Sequence, residues 1–247
     1  MKHEPLQRTR FFFVTTPLPC PYFPDRLERR VVTELTGREA GRFHDLLSLA
    51  GFRRSHGVAY VPACPGCSAC IPVRIVADRF AMSRTWRRVH NANADVTAAF
   101  MSATATDEQF SLFASYQKTR HGDGDMNRMD MADYRALIED TPINTRVAEF
   151  RDADGRLIAA CLTDLLEDGL SAVYSFFDPD PALDRHSLGS YMILWLVEQA
   201  RSIGLPYVYL GFWIKDCRKM SYKSRFRPVE HLTPEGWRLL GPDSPSL

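Results

Sequence analysis

No run of the chain approaches the roughly 18 consecutive apolar residues that a membrane-spanning helix requires, which excludes a helical membrane protein. The first ten residues, from Met1 to Arg10, lack the apolar region of a secretory signal, so a cytoplasmic location is expected. Excess charge of either sign is also missing: the formal net charge is +1, which excludes a simple polycation that coats nucleic acid. Low complexity is absent too, and 45% hydrophobic with 25% charged residues are the proportions of an ordinary globular chain. Its 247 residues suffice for one sizeable core or two small ones. Lysine is scarce, 5 among 31 basic residues, so the positive charge is carried by arginine, the side chain suited to bidentate contact with phosphate and carboxylate.

The balanced total conceals a pattern. Residues 1–100 carry +7, residues 101–184 carry −10 and residues 185–247 carry +4. Two basic segments thus bracket an acidic one, an arrangement suited to holding a polyanion against selected surfaces. In the last block, Lys215 to Arg227 holds six basic residues interleaved with Tyr222 and Phe226, a mixture suited to a single-stranded nucleic-acid end. Lys215, Lys219 and Lys223 recur every four residues and would share one face if the segment were helical.

Six cysteines without a secretory signal argue against a disulfide framework. Cys64, Cys67 and Cys70 form two overlapping C-x-x-C steps around a Pro-Gly turn, a spacing that lets thiolates converge on one tetrahedral ion, with Cys20 as a fourth ligand. Zinc, an iron–sulfur cluster and no ion at all remain open on this spacing. Strand-like runs over residues 57–61 and 71–76 flank the turn and place it on a hairpin-like loop. Residues 11–14, three phenylalanines and a valine, read as a short buried strand, and residues 39–51 as an amphipathic helix stopped by Gly51. Arg84 to Arg88 surround Trp86 with three arginines, the composition of a phosphate-contacting surface with a stacking platform.

The second half reads as a helix capped by Thr106, then strands over 145–150, 157–163 and 170–177 in an antiparallel meander turned by Asp154-Gly155. A glycine-bearing turn at Ser187 to Ser190 leads into a helix over 191–203, and a further strand spans 207–213. Strand, glycine-bearing turn, helix and strand are the order in which acyltransferases expose backbone N–H groups to a phosphate-bearing acyl carrier.

Val173 to Asp180, Ser187 to Tyr191, Tyr207 to Ile214, Cys217 to Lys223 and Phe226 to Pro228 resemble the C-terminal half of arginyl-tRNA–protein transferases. Cys20-Pro-Tyr, Gly51 to Ser55 and the Cys64/67/70 turn resemble their N-terminal half. The short chain is similar to the bacterial branch, the aspartate/glutamate leucyltransferases, which move leucine from leucyl-tRNA to proteins beginning with Asp or Glu and mark them for degradation. The resemblance implies an α/β (α+β) fold: an acetyltransferase-type (GNAT-like) catalytic domain with a mixed, largely antiparallel sheet over 101–247. A smaller cysteine-containing N-terminal subdomain over 1–100 would precede it. Phe23 stands where the family's first C-x-x-C has its second cysteine, so Cys64, Cys67 and Cys70 would replace that site.

The chemistry needs no cofactor, because an aminoacyl ester is already activated and the acceptor α-amine, with a pKa near 7.7–8.0, is partly neutral at physiological pH. Tyr174, Ser175, Asp178, Ser187 and Gly189 are expected to orient the ester and relay a proton. Arg120 or His121 is expected to read the acceptor's carboxylate. Lys215, Arg218, Lys219, Tyr222, Lys223, Arg225 and Arg227 are expected to hold the tRNA end. The competing readings are an arginyl donor, a peptidoglycan-directed transferase, and a non-catalytic tRNA-binding module.

Overall fold

A computed structural model describes residues 9–122, 124–215, 217 and 219–241. In chain order the strands and helices begin with β1 (Phe13–Val14), β2 (Leu18–Pro19), β3 (Leu27–Glu28), β4 (Arg30–Glu34), α1 (Ala40–Leu49), β5 (Arg53–Ser55), β6 (Val58–Pro62) and β7 (Ile71–Val76). Then come α2 (Arg84–Ala92), β8 (Thr97–Ser102), α3 (Asp107–Arg120), α4 (Met131–Glu139), β9 (Thr145–Arg151), β10 (Leu157–Leu165) and β11 (Gly169–Phe177). The chain closes with α5 (Leu188–Ser202), β12 (Tyr207–Trp213), β13 (Val229–Thr233) and β14 (Gly236–Leu239). This is a mixed α/β protein built on largely antiparallel sheets.

Eight strands form the main sheet in the order β14-β13-β7-β12-β11-β10-β9-β8, and β11 with β12 is its one parallel pair among the described strands. Helices cover both faces. Ile158 and Cys161 of β10 belong to a core with Trp86, Met192 and Leu196 under α2 and α5, whereas Ala160 and Leu162 join Phe113, Tyr134 and Phe176 under α3 and α4. A strand buried on both sides reads as a continuous apolar run, as Leu157 to Leu162 does. Thr106 and Gln109 close a reciprocal capping box at the start of α3, as the cap position implied.

A second, four-stranded sheet has the order β1-β4-β6-β5. Three expectations change here. The cysteine loop turns no hairpin, because β6 lies in the small sheet and β7 in the large one. Residue 100 divides no sheet: β7 is paired between β12 and β13, and β8, which contains residue 100, is the far edge. The 11–14 run is not buried, with Phe11, Phe12, Phe13 and Val14 between 50 and 64% exposed, since β1 only pairs along β4 at an edge.

The small sheet is tied to the large one by a buried ion cluster. Arg54 of β5 grips Asp164 of β10 through Nε at 2.7 Å and Nη2 at 2.8 Å, and Thr145 Oγ1 donates to the same carboxylate at 2.9 Å. His44 Nε2 stands 3.3 Å from Asp164 but off the hydrogen-bond direction. Burial pushes the Asp164 carboxyl up, and His44 with the Arg54 fork overcomes it, holding the group below its ordinary value.

Candidate active site

β11 and β12 run side by side only from Gly169/Tyr207 to Ser171/Tyr209. Beyond that point β11 continues along β10 to Phe177 and β12 along β7 to Trp213, so the parallel strands part into a V. Both strands are irregular there: register slips opposite Val173 on β11 and between Tyr209 and Gly211 on β12. Bulges of this kind bend a strand and release carbonyls from the ladder.

Two cations meet those carbonyls. Arg53 of β5 donates through Nη2 to the oxygens of Ala172 and Val173. Lys223 donates to Leu210 O at 2.8 Å and Phe212 O at 2.6 Å. Gly211, at φ +70°, makes room: a Cβ there would overlap the Arg53 guanidinium. Lys223 is 4% exposed, and burial followed by the neighbouring Arg53 charge drives its pKa well below the ordinary lysine value. Tyr174 accepts from Gln117 Nε2 of α3, and burial lifts its phenol to about 12, so it is neutral across the physiological range.

At the far end of β11 an open cavity of about 170 Å³ is lined by Arg120, Phe177, Asp178, Leu183, Asp184 and residues Ser187 to Ser190. Ser187 adopts the left-handed conformation (φ 47°) where a 3₁₀ turn over Pro181–His186 gives way to α5, and it makes no side-chain cap bond. The turn is anchored by Asn93, just past the end of α2, whose Nδ2 donates to His186 O at 2.8 Å. Gly189 packs so closely on the Phe177 ring that a Cβ would lie 3.3 Å from it.

Of the expected catalytic residues the cavity therefore unites Asp178, Ser187 and Gly189, with Arg120 on its wall. Asp178 is already engaged: Oδ2 accepts from Arg156 Nη1 at 2.6 Å and Oδ1 from the Asp180 N–H at 3.0 Å. Those two bonds tie the carboxylate into the turn that follows β11. Ser175 sits within β11 opposite Cys161, and Tyr174 is committed to α3; neither lines the cavity. Arg120 faces Asp184 at 3.8 Å. Burial, then the Lys219 and Arg120 charges, lowers the His121 pKa, so protonation there is disfavoured at neutral pH.

Lys215, Lys219 and Lys223 do not share an α-helical face: among the described residues between Trp213 and Val229 the regular element is a 3₁₀ turn over Ser221–Arg225. Lys219, Arg225 and Arg227 are exposed, as is Lys215, whereas Lys223 is buried in the V and unavailable for direct contact with RNA. Arg218 lies outside the described residues. Tyr222 is 37% exposed, with Arg53, Tyr116 and Cys161 in electrostatic reach. Trp86 is no open platform: it is 5% exposed and stacked on Phe226 at 4.3 Å.

Cys20, Cys64, Cys67 and Cys70 line a common cavity with Tyr22 and Phe212. Burial, then the neighbouring Cys20, Cys64 and Cys67, pushes the Cys70 thiol up to about 12. Among the described residues no three Cys, His, Asp or Glu side chains converge closely enough to share an ion. As placed, the four thiols do not form the expected ligand set.

A βαβ crossover with an open cavity at its helix start, beside exposed basic residues, is an arrangement suited to binding an anionic group. Family models described as "Arginine-tRNA-protein transferase, N terminus" and "Arginine-tRNA-protein transferase, C terminus" match residues 18–88 and 108–233. The chain belongs to this family of aminoacyl-tRNA–protein transferases. It is 59% identical over 242 residues to the aspartate/glutamate leucyltransferase of Paramagnetospirillum magneticum, covering 98% of each chain. Against the protein of the same name from Granulibacter bethesdensis it is 56% identical, covering 96% of this chain and 88% of that one. A solved structure titled "Crystal structure of FemX" overlaps 78% of this chain and 65% of its own at a TM-score of 0.46 and 9% identity.

Proposed function

We propose that the enzyme transfers leucine from leucyl-tRNA to the α-amine of proteins beginning with Asp or Glu, within the bacterial cytoplasm. The observation that carries this reading is identity of 50% or more, over nearly the whole chain, to relatives bearing the leucyltransferase name. The order β8, α3, α4, β9, β10, β11, α5, β12 supports the GNAT-like reading, with the acyl donor entering where β11 and β12 part. The cavity at the start of α5 receives the phosphate-bearing end of the tRNA, and Lys215, Lys219, Arg225 and Arg227 continue the electrostatic path outward.

The reaction is aminolysis of an ester. The neutral α-amine attacks the leucyl carbonyl, the ester C–O bond breaks, and the tRNA 3′-terminal ribose hydroxyl leaves with a proton that originated on the amine. Positioning supplies much of the acceleration. The fraction of amine already neutral supplies the nucleophile.

A single-turnover reaction with labelled leucyl-tRNA and an Asp-initiated peptide tests the assignment. Label should pass to that peptide and not to its Ala-initiated counterpart; transfer to the Ala peptide instead would sink it. The wall position of Arg120 favours the donor over the acceptor, so Arg120→Ala should raise KM for leucyl-tRNA several-fold more than KM for peptide.

A further inference from the structure

Arg120, the residue first expected to read the acceptor's acidic side chain, is opposed by Asp184, and His121 resists protonation. The V between β11 and β12 presents the opposite situation. Arg53 and Lys223 enter it from distant parts of the sequence, close enough for each to feel the other's charge, and no carboxylate among the described residues forms an ion pair with either. Around Arg53 lie Tyr22, Tyr174, Tyr222 and Cys161, all neutral at physiological pH and none able to offset a cation. Arg53 spends Nη2 on two strand carbonyls, and Nη1 lies against Gly211 with no hydrogen-bond acceptor among the described residues.

A half-buried guanidinium facing a buried amine without a counter-anion is an unfavourable resting arrangement unless an anion completes it. We propose that Arg53, supported by Lys223, binds the side-chain carboxylate of the acceptor's N-terminal Asp or Glu and so sets the enzyme's preference for acidic acceptors. A carboxylate offsets the Arg53 charge and favours the protonated form of Lys223 throughout the bound state, whereas an oxyanion on the ester carbonyl would do so only during the chemical step. The site lies at the point where the parallel strands part, so a carboxylate there leaves its own α-amine, a few bonds away, beside the entering ester. The proposal rests on the leucyl-transfer reading for its acceptor.

The test compares Arg53→Met and Arg53→Lys enzymes with wild type, using peptides that begin with Asp and Asn. In Arg53→Met, KM for the Asp peptide should rise about 10- to 100-fold, the size of a lost charge-assisted pair, and the Asp-over-Asn preference should collapse. KM for leucyl-tRNA should change by much less than KM for the Asp peptide, with an unchanged far-ultraviolet circular dichroism spectrum. Arg53→Lys keeps the charge and should retain the preference at reduced kcat, which preserves the test if the methionine variant misfolds. Equal losses on Asp and Asn peptides, or loss of preference in Arg53→Lys as complete as in the methionine variant, would overturn the proposal. Direct titration of wild-type protein with the two peptides, without any tRNA, separates it from the donor assignment. Tighter binding of the Asp peptide supports the carboxylate site even if leucine is not the group transferred, and equal binding refutes it.

Discussion

Gly211 holds a backbone conformation that L-residues rarely adopt, and the Arg53 guanidinium fills the space its missing Cβ leaves. Gly211→Ala should therefore cost about 1–3 kcal/mol through strain and displacement of Arg53. It should also raise KM for acidic peptides, because the guanidinium must move. Thermal unfolding measures the first effect and steady-state kinetics the second; an unchanged Tm would show that the V is not shaped as described. Arg53 was legible only as part of the Gly51 to Ser55 motif that carried the family resemblance, with no role attached. An arginine on a three-residue strand gives no sign in sequence that it reaches a strand more than a hundred residues away.

At the scale of elements, β5 and β10 are joined by the Arg54–Asp164 fork, both side chains fully buried. Removing one partner strands the other charge in a dry environment, so Arg54→Met should destabilise by roughly 3–5 kcal/mol in urea unfolding. The Asp164 carboxyl is held below its ordinary value in the folded state. A group shifted downward contributes stability that is present above the unfolded carboxylate value of about 3.9 and is lost as pH falls through the lower folded value. Acid unfolding followed by circular dichroism should show an Asp164-dependent loss confined to pH below about 4, absent from Asp164→Asn. The meander of β9, β10 and β11, the helix that became α5 and the strand β12 were all readable from periodicity and turn residues. Burial was not: residues 11–14 are as apolar as any core strand, yet they run along a sheet edge and stay at least half exposed.

For the whole molecule, the +7, −10, +4 charge sequence implies that RNA is touched locally rather than along a basic face. Exposed Lys219, Arg225 and Arg227 cluster in the tail beyond β12. Each phosphate contact on single-stranded RNA contributes a slope of about −0.7 to the log–log dependence of affinity on salt. Replacing all three by alanine should flatten that slope for leucyl-tRNA by about 2, read by filter binding across a salt series. An unchanged slope would place the tRNA contact elsewhere.

Local pattern determined α1, α3, the order of β9, β10, β11, α5 and β12, the glycine-bearing start of α5 and the family, because hydrophobic period, cap residues and turn chemistry act over a few residues. Motif spacing brought Asp178, Ser187 and Gly189 together for the same reason: they lie within twelve residues of one another on a strand end and the helix that follows it. Only the tertiary structure decided that Trp86 is core, that Lys223 is buried and that Arg53 faces it across the parted strands. Those placements depend on which sheet each strand joins and where two strands separate. Both are set by long-range pairing and by the removal of charge from water, which no local pattern records.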